Sequence, residues 1–160
     1  MKILGIDVGI AITGYGLIEK NANVVKYISH GVISTSKFDT TSQRLNTLHK
    51  ELKALLELEK PDVVGVEQLF FFRNTTTIIT VGEARGVILL ALEEVNIVPV
   101  EITPLQVKQF ISSYGRANKK DVQEMVKKLL SLDFIPKPDD AADALAIAIC
   151  SSYLSNYKKI

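Results

Sequence analysis

The first 35 residues carry the pattern of strands. Lys2 to Val8 is a short apolar run that ends at Gly9 and predicts a buried strand, and Thr13 to Lys20 predicts a second one. Asn23 to Thr35 supplies a third, β-rich stretch punctuated by Ser29-His30-Gly31. Three strands in sequence with short turns predict an antiparallel meander. The period then changes. Leu45, Leu48, Leu52, Leu55 and Leu56 recur at intervals of three and four, predicting an amphipathic helix entered near Thr41-Ser42 and ended before Pro61. Val63 to Val66 is apolar on both faces, as a parallel strand covered on both sides would be, with Glu67 closing it. A second helix is expected from a cap at Asn74 or a nearby threonine to about Val95, followed by a short strand from Val98 to Ile102. Beyond Pro104 two short helical patterns flank a polar loop, Ser112 to Lys120. A last helix starts at Asp139 or Asp140 and runs through the alanine-rich segment to Tyr153-Leu154. Strands first and alternating helix and strand afterwards predict an α/β domain spanning residues 1–160, with a mixed central sheet and helices packed on it.

Composition narrows the class. At 160 residues and 47% hydrophobic, the chain can bury a real core, and 23% charged residues exclude a disordered or fibrous protein. A single cysteine, Cys150, rules out intrachain disulfides and cysteine-based metal clusters. Asp7 interrupts the N-terminal apolar run before it resembles a signal peptide. No stretch reaches the ~20 apolar residues of a membrane helix. The expectation is a soluble cytoplasmic protein with no membrane partner. The net charge of +1 conceals asymmetry, because residues 61–103 sum to −4 and residues 104–137 to +4.

Four carboxylates stand where carboxylates are expensive. Asp7 interrupts an apolar strand on the same face as Ile3 and Gly5, and burying an unpaired anion there costs several kcal/mol. An acid capping turn amides around Gly9 is the ordinary alternative. Glu67 closes a parallel strand at the edge where open α/β sheets bind ligands, although strand ends are often simply wet. Asp140 and Asp143 lie on one side of the last helix. Capping explains Asp139 fully and Asp140 in part, but Asp143 sits among Ala141, Ala142, Ala144, Leu145 and Ala146, where a cation must be near. Acids converging on one edge repel unless a cation neutralises them, and all-oxygen ligation selects magnesium, with manganese as a substitute. Two such ions activate a water and stabilise a leaving oxygen at phosphorus, which is phosphodiester hydrolysis.

The basic segment complements these acids. Lys108, Arg116, Lys119 and Lys120 flank or occupy the polar loop, where cations reach phosphates, unless the loop is merely solvated. Leu69-Phe70-Phe71-Phe72-Arg73 follows Glu67, and three consecutive rings are hard to hide, so at least one is expected to stack on a base if the cluster is not core. His30 and His49 lack ligand spacing and read as structural or surface residues. Cys150 reads as an inert core thiol. Gly82 and Gly86 suit either close approach of a second copy or packing on the chain's own sheet.

Taken in order, several motifs resemble the RuvC family of Holliday-junction resolvases. They are Gly5-Ile6-Asp7-Val8-Gly9, Thr13-Gly14-Tyr15-Gly16, Pro61-Asp62 with Glu67-Gln68 and Phe70, Ala84-Arg85-Gly86, Gln106-Val107-Lys108, and Asp140-Ala141-Ala142-Asp143-Ala144-Leu145-Ala146. Val8 stands where that family commonly has proline. The resemblance implies an RNase H-like fold with a five-stranded sheet and a homodimer that cuts four-way DNA junctions symmetrically with divalent metal, during recombination and repair. It implies metal-binding catalytic roles for Asp7, Glu67, Asp140 and Asp143. It also implies base stacking by Phe70, with Phe71 and Phe72 adjacent, and backbone contacts from Lys108 and Lys119, with Lys120 as a substitute. The helix holding Ala84-Arg85-Gly86 would lie at the dimer interface, and a branch-migration motor is an implied partner. Two other readings stay open. One is an actin-like or sugar-kinase-like phosphotransferase, for which one domain is too small and a phosphate-binding loop of the G-x-x-x-x-G-K-[ST] type is lacking. The other is a silent DNA-binding module, which leaves the four acids unexplained.

Overall fold

Alternating apolar residues at the N-terminus fold into β1 (Lys2–Asp7), β2 (Ile12–Asn21) and β3 (Val24–Ser34), an antiparallel meander in register Leu4 to Leu17 and Leu17 to Ser29. The computed structural model describes residues 1–68, 75–112 and 118–154. The leucine-rich segment forms α1 (Thr41–Glu59), started by a reciprocal Thr40–Gln43 capping box and stopped at Lys60 in the left-handed conformation before Pro61. It returns the chain to β4 (Val63–Glu67), which pairs parallel to β1 with Ile6 opposite Val66. Next come α2 (Thr75–Glu94), β5 (Val100–Ile102), α3 (Pro104–Ser112), α4 (Lys119–Leu129) and α5 (Asp139–Leu154). The sheet order is β3-β2-β1-β4-β5. Because only β2 runs the other way, β1, β3, β4 and β5 all end on the same edge.

Two expected boundaries move. The fifth strand begins at Val100 instead of Val98, since Pro99 has no N–H for a ladder and Val98 is exposed. Lys119 and Lys120 are not in a loop. Asn118 accepts from the Asp121 amide while Asp121 accepts from the Asn118 amide, and this box starts α4 at Lys119. The remaining elements fall where the hydrophobic period places them.

Side-chain alternation divides the core in two. Leu4, Ile6, Leu17, Val64 and Val66 meet Leu48, Leu52, Leu56, Ala84, Ile88 and Leu92 of α1 and α2. Ile3, Ile18 and Ile102 face α5, with Val107, Ile111, Val122 and Val126 of α3 and α4 beside it. Helices therefore cover both faces. On the second face Gly5, Gly14, Gly16 and Gly65 leave a track without side chains. A Cβ at Gly5 would overlap the Ala144 carbonyl, at Gly14 the Asp140 carbonyl, at Gly16 the backbone of Leu145, and at Gly65 the Ser151 hydroxyl. The track lets α5 lie directly against the strands. Its far end is held by Lys20, whose Nζ donates to the Ser152 carbonyl at 2.7 Å and sits 3.8 Å from the Tyr153 ring centroid.

Candidate active site

Parallel pairing of Ile6 with Val66 puts the next residues, Asp7 and Glu67, side by side at the shared edge. Ile6 and Val66 point to α1 and α2, so Asp7 and Glu67 point to the α5 face. There the Gly14 contact fixes the first turn of α5, and with it Asp140 and Asp143. Asp7, Glu67 and Asp143 line one cleft with Lys108, Lys119, Pro104, Val107, Val122 and Ile147. Three carboxylates from distant parts of the chain meet where sequence reasoning places them.

Their proximity is expressed in their acidity. Burial raises Asp7 to about 8, and Glu67, Asp143 and Asp140 push it the same way. Burial and then Asp143 raise Glu67 to about 7. Asp143 is also raised, by burial first, against the pull of Lys119. Half-buried Asp140 belongs to the same electrostatic group through its effect on Asp7, although it is not part of the cleft wall.

The main finding beyond the sequence reading is the position of Lys119. Its Nζ lies 3.2 Å from Asp143 Oδ2 and 3.4 Å from Asp139 Oδ2. A cation in the first turn of a helix opposes the dipole by ~0.3–1 kcal/mol. Here, although burial disfavours its charge, the two aspartates hold the ammonium above its ordinary pKa. The Asn118-x-x-Asp121 cap was the sequence signal for this placement. Asp139 is held in turn by Gln123 Nε2 at 3.0 Å. A second polar group sits behind Glu67. Glu101 of β5 accepts from Arg85 Nη2 at 2.6 Å and from Gln68 Nε2 at 2.8 Å. Arg85 thus reaches from α2 toward β5 instead of lying on the outward face of that helix, which carries Gly82 and Gly86 with open space around them.

In kind, the donors fit a hard divalent ion: all are carboxylates, and burial and mutual repulsion raise the pKa of Asp7 and Glu67, a penalty on their charge that a cation would relieve. Among the described residues no three such groups surround one point closely enough to ligate an ion, Asp143 being held by Lys119. The cleft measures about 260 Å³. It opens to solvent, so a backbone phosphate can reach the acids from outside. The phosphotransferase alternative needs a second domain to enclose a nucleotide, and the described residues form a single five-stranded sheet.

Residues 3–151 match the family model described as crossover junction endodeoxyribonuclease RuvC. The chain belongs to the RuvC family. The RuvC protein of Caldicellulosiruptor saccharolyticus is 56% identical over 151 residues, covering 94% of this chain and 91% of that one. The RuvC of Thermosipho melanesiensis is 53% identical over 150 residues, covering 94% and 96%. Among solved structures, T. thermophilus RuvC in complex with Holliday junction substrate superposes with a TM-score of 0.91 at 33% identity, covering 98% of this chain and 96% of that one. The yeast mitochondrial resolvase Ydc2, at 18% identity and a TM-score of 0.69, shares the fold.

In this RuvC-family chain the other expected site residues divide three ways. Lys108 lines the cleft. Lys120 is exposed on the first turn of α4 and does not line it. Phe70, Phe71, Phe72, Arg73, Arg116 and the expected cap at Asn74 lie outside the described residues. His30 is structural, its Nδ1 2.9 Å from the Tyr27 hydroxyl and its ring beside Phe134. His49 pairs with Glu94 at 3.2 Å. Cys150 is buried, its thiol pushed up to about 11 by burial, as expected for an inert core residue.

Proposed function

We propose that this chain resolves four-way DNA junctions by hydrolysing phosphodiester bonds at the Asp7–Glu67–Asp143 cleft. The observation that carries this reading is the meeting of those three carboxylates with Lys108 and Lys119 in one open cleft. RuvC-family enzymes are metal-dependent nucleases of Holliday junctions, and this chain is an endodeoxyribonuclease of that family.

The 160 residues act as one nuclease domain. Asp7, Glu67, Asp140 and Asp143 would hold magnesium, or manganese in its place, two ions per site. Held there, such ions would supply a water of lowered pKa and charge stabilisation for the leaving oxygen. Asp7 and Glu67, fixed on adjacent strands, orient the attacked phosphate's surroundings, and the glycine track holds Asp143 in register with them. Lys108 and Lys119 draw the DNA backbone to the cleft. Lys119 exchanges Asp143 and Asp139 for phosphate oxygens. Arg116 and Arg73 extend the phosphate contacts, and Phe70 or Phe71 stacks on a base at the branch point.

Paired incision requires two sites, so the working species is a homodimer. What supports α2 as its interface is an outward stripe of Ile79 (64% exposed), Gly82, Gly86 and Leu90 (55% exposed), a face with small residues for close approach. A branch-migration motor is the further partner. No helix among the described residues is long and apolar enough to cross a membrane. A protein that acts on chromosomal junctions belongs in the cytoplasm.

The test is incubation of purified protein with an end-labelled synthetic four-way junction and with linear duplex, in magnesium or in chelator. Symmetric nicks in the junction alone, in magnesium alone, are expected. Equal cutting of linear duplex, or undiminished cutting in chelator, would overturn the reading.

A further inference from the structure

We infer that the loop joining β3 to α1, through Lys37 and Phe38, is a second DNA-gripping element on the flank of the active site opposite Lys108. The inference rests on the junction-resolving reading and extends it to residues outside the motifs that carry the family resemblance.

Position is the first argument. β3 ends on the same edge as β1, β4 and β5, so the segment from Thr35 to Thr40 emerges beside the catalytic strand ends. It is fastened there. Thr35 N donates to the Ala11 carbonyl at 3.0 Å, Thr35 Oγ1 donates to the Ile10 carbonyl at 2.5 Å, and Arg44 Nε donates to Thr35 Oγ1 at 2.8 Å. Residues 8–11 are the turn that directly follows Asp7. With three residues from Asp7 to Ile10 and three from Thr35 to Phe38, joined by the Thr35–Ile10 hydrogen bond, the Phe38 backbone stands within roughly 30 Å of Asp7. That is less than the ~34 Å of one duplex turn. A duplex seated on the acids is therefore long enough to reach this loop. In the strand order the loop belongs to β3, at one margin of the sheet, whereas Lys108 follows β5 at the other.

Chemistry is the second argument. Phe38 is 89% exposed, the most exposed large hydrophobic residue among those described. A phenylalanine held open to water loses apolar burial for no structural return. The loop is nonetheless ordered around it: the Phe38 amide donates to Ser36 Oγ at 3.1 Å and the Asp39 amide to the Ser36 carbonyl at 3.3 Å. Lys37 Nζ lies 5.2 Å from the ring centroid, so an aromatic face and a cation are presented together. That pair matches nucleic acid, in which a stackable base lies beside a phosphate. Asp39 is the neighbouring anion. It directly precedes the Thr40 cap of α1, where the positive helix end offsets it, and the first turn of α1 carries no acid that would repel a phosphate.

The chain contains no tryptophan, so Phe38→Trp installs a single indole, excited apart from the five tyrosines, at a side chain that is 89% exposed. Titrating this variant with four-way junction in chelator should quench its emission, saturating with the anisotropy of the labelled junction. Phe38→Ala should weaken junction binding about tenfold at an unchanged melting temperature, and Lys37→Ala should lower the slope of log affinity against log salt by about one. Unchanged tryptophan emission in a junction complex seen by anisotropy overturns the inference and leaves the resolvase reading intact. Emission that shifts with protein concentration alone overturns it too, by assigning the ring to contact between copies. A wild-type protein that neither binds nor cuts the junction overturns both.

Discussion

The two faces of the sheet are built by opposite rules. On the α1/α2 face, Leu48, Leu52, Leu56, Ile88 and Leu92 interdigitate with Leu4, Ile6, Leu17, Val64 and Val66, and side-chain volume sets the spacing. On the α5 face, Gly5, Gly14 and Gly16 bring backbone against backbone, so the spacing there is set largely by atoms that have no rotamers, while Gly65 makes room for the Ser151 side chain. Both faces supply apolar burial, the main source of folding free energy. The second supplies register, carrying Asp140 and Asp143 to Asp7 and Glu67. All the carboxylates of the site project on the second face or from α5 itself.

The largest test of this division removes chemistry without volume. Glu67→Gln and Asp143→Asn should each lower junction cleavage by about 10²- to 10³-fold while junction binding persists, read by single-turnover cleavage beside gel-shift binding. Cleavage at the wild-type rate in either variant would remove that residue from the mechanism.

Next comes a matched pair. Gly5→Ala places a methyl group against the Ala144 carbonyl, displaces α5, and should slow cleavage by about 10- to 100-fold. Leu52→Ala should cost about 2–5 kcal/mol of stability on the other face yet leave the rate per folded molecule within about twofold. Denaturant melts and rates normalised to active protein compare the two. If Gly5→Ala keeps the wild-type rate, the register argument fails.

A third test uses proton linkage. Asp7 at about 8 and Glu67 at about 7 stand above their ordinary 3.8 and 4.5, so the metal-free folded chain binds protons that the unfolded chain has released. Their contribution is full below about pH 4 and is lost as pH rises through about 7 to 8. In chelator the melting temperature should therefore fall from pH 5.5 to 8.5, and magnesium should raise it more at the upper pH. A flat or rising profile in chelator would contradict the electrostatic grouping.

The smallest effect is expected at Lys119→Ala, which should weaken junction binding and reduce the salt slope by about one. An unchanged slope would confine Lys119 to its aspartates.

The acids were legible because each breaks an apolar pattern: Asp7 and Glu67 at the ends of buried strands, Asp143 inside an alanine-rich helix. Their convergence followed from topology once the period changed from two to three and four at Leu45. The glycine track was not read, since Gly5, Gly14, Gly16 and Gly65 lie on three strands and become one feature only when β2, β1 and β4 are side by side. The polar run from Ser112 to Lys120 reads as loop throughout and hides the Asn118–Asp121 cap that starts α4 at Lys119. Its partners Asp143 and Asp139 lie on another helix and carry no local signature. Phe38, a lone aromatic in a polar stretch, showed nothing until its exposure and its edge were known.

The glycine track also limits how this enzyme can drift or be redesigned. Where a helix rests on bare strand backbone, the gap between them has a hard floor that no exchange of side chains can lower and almost any added carbon lifts. The distance between the carboxylates is thus inherited from the architecture itself, and altering it would mean re-laying the strands beneath.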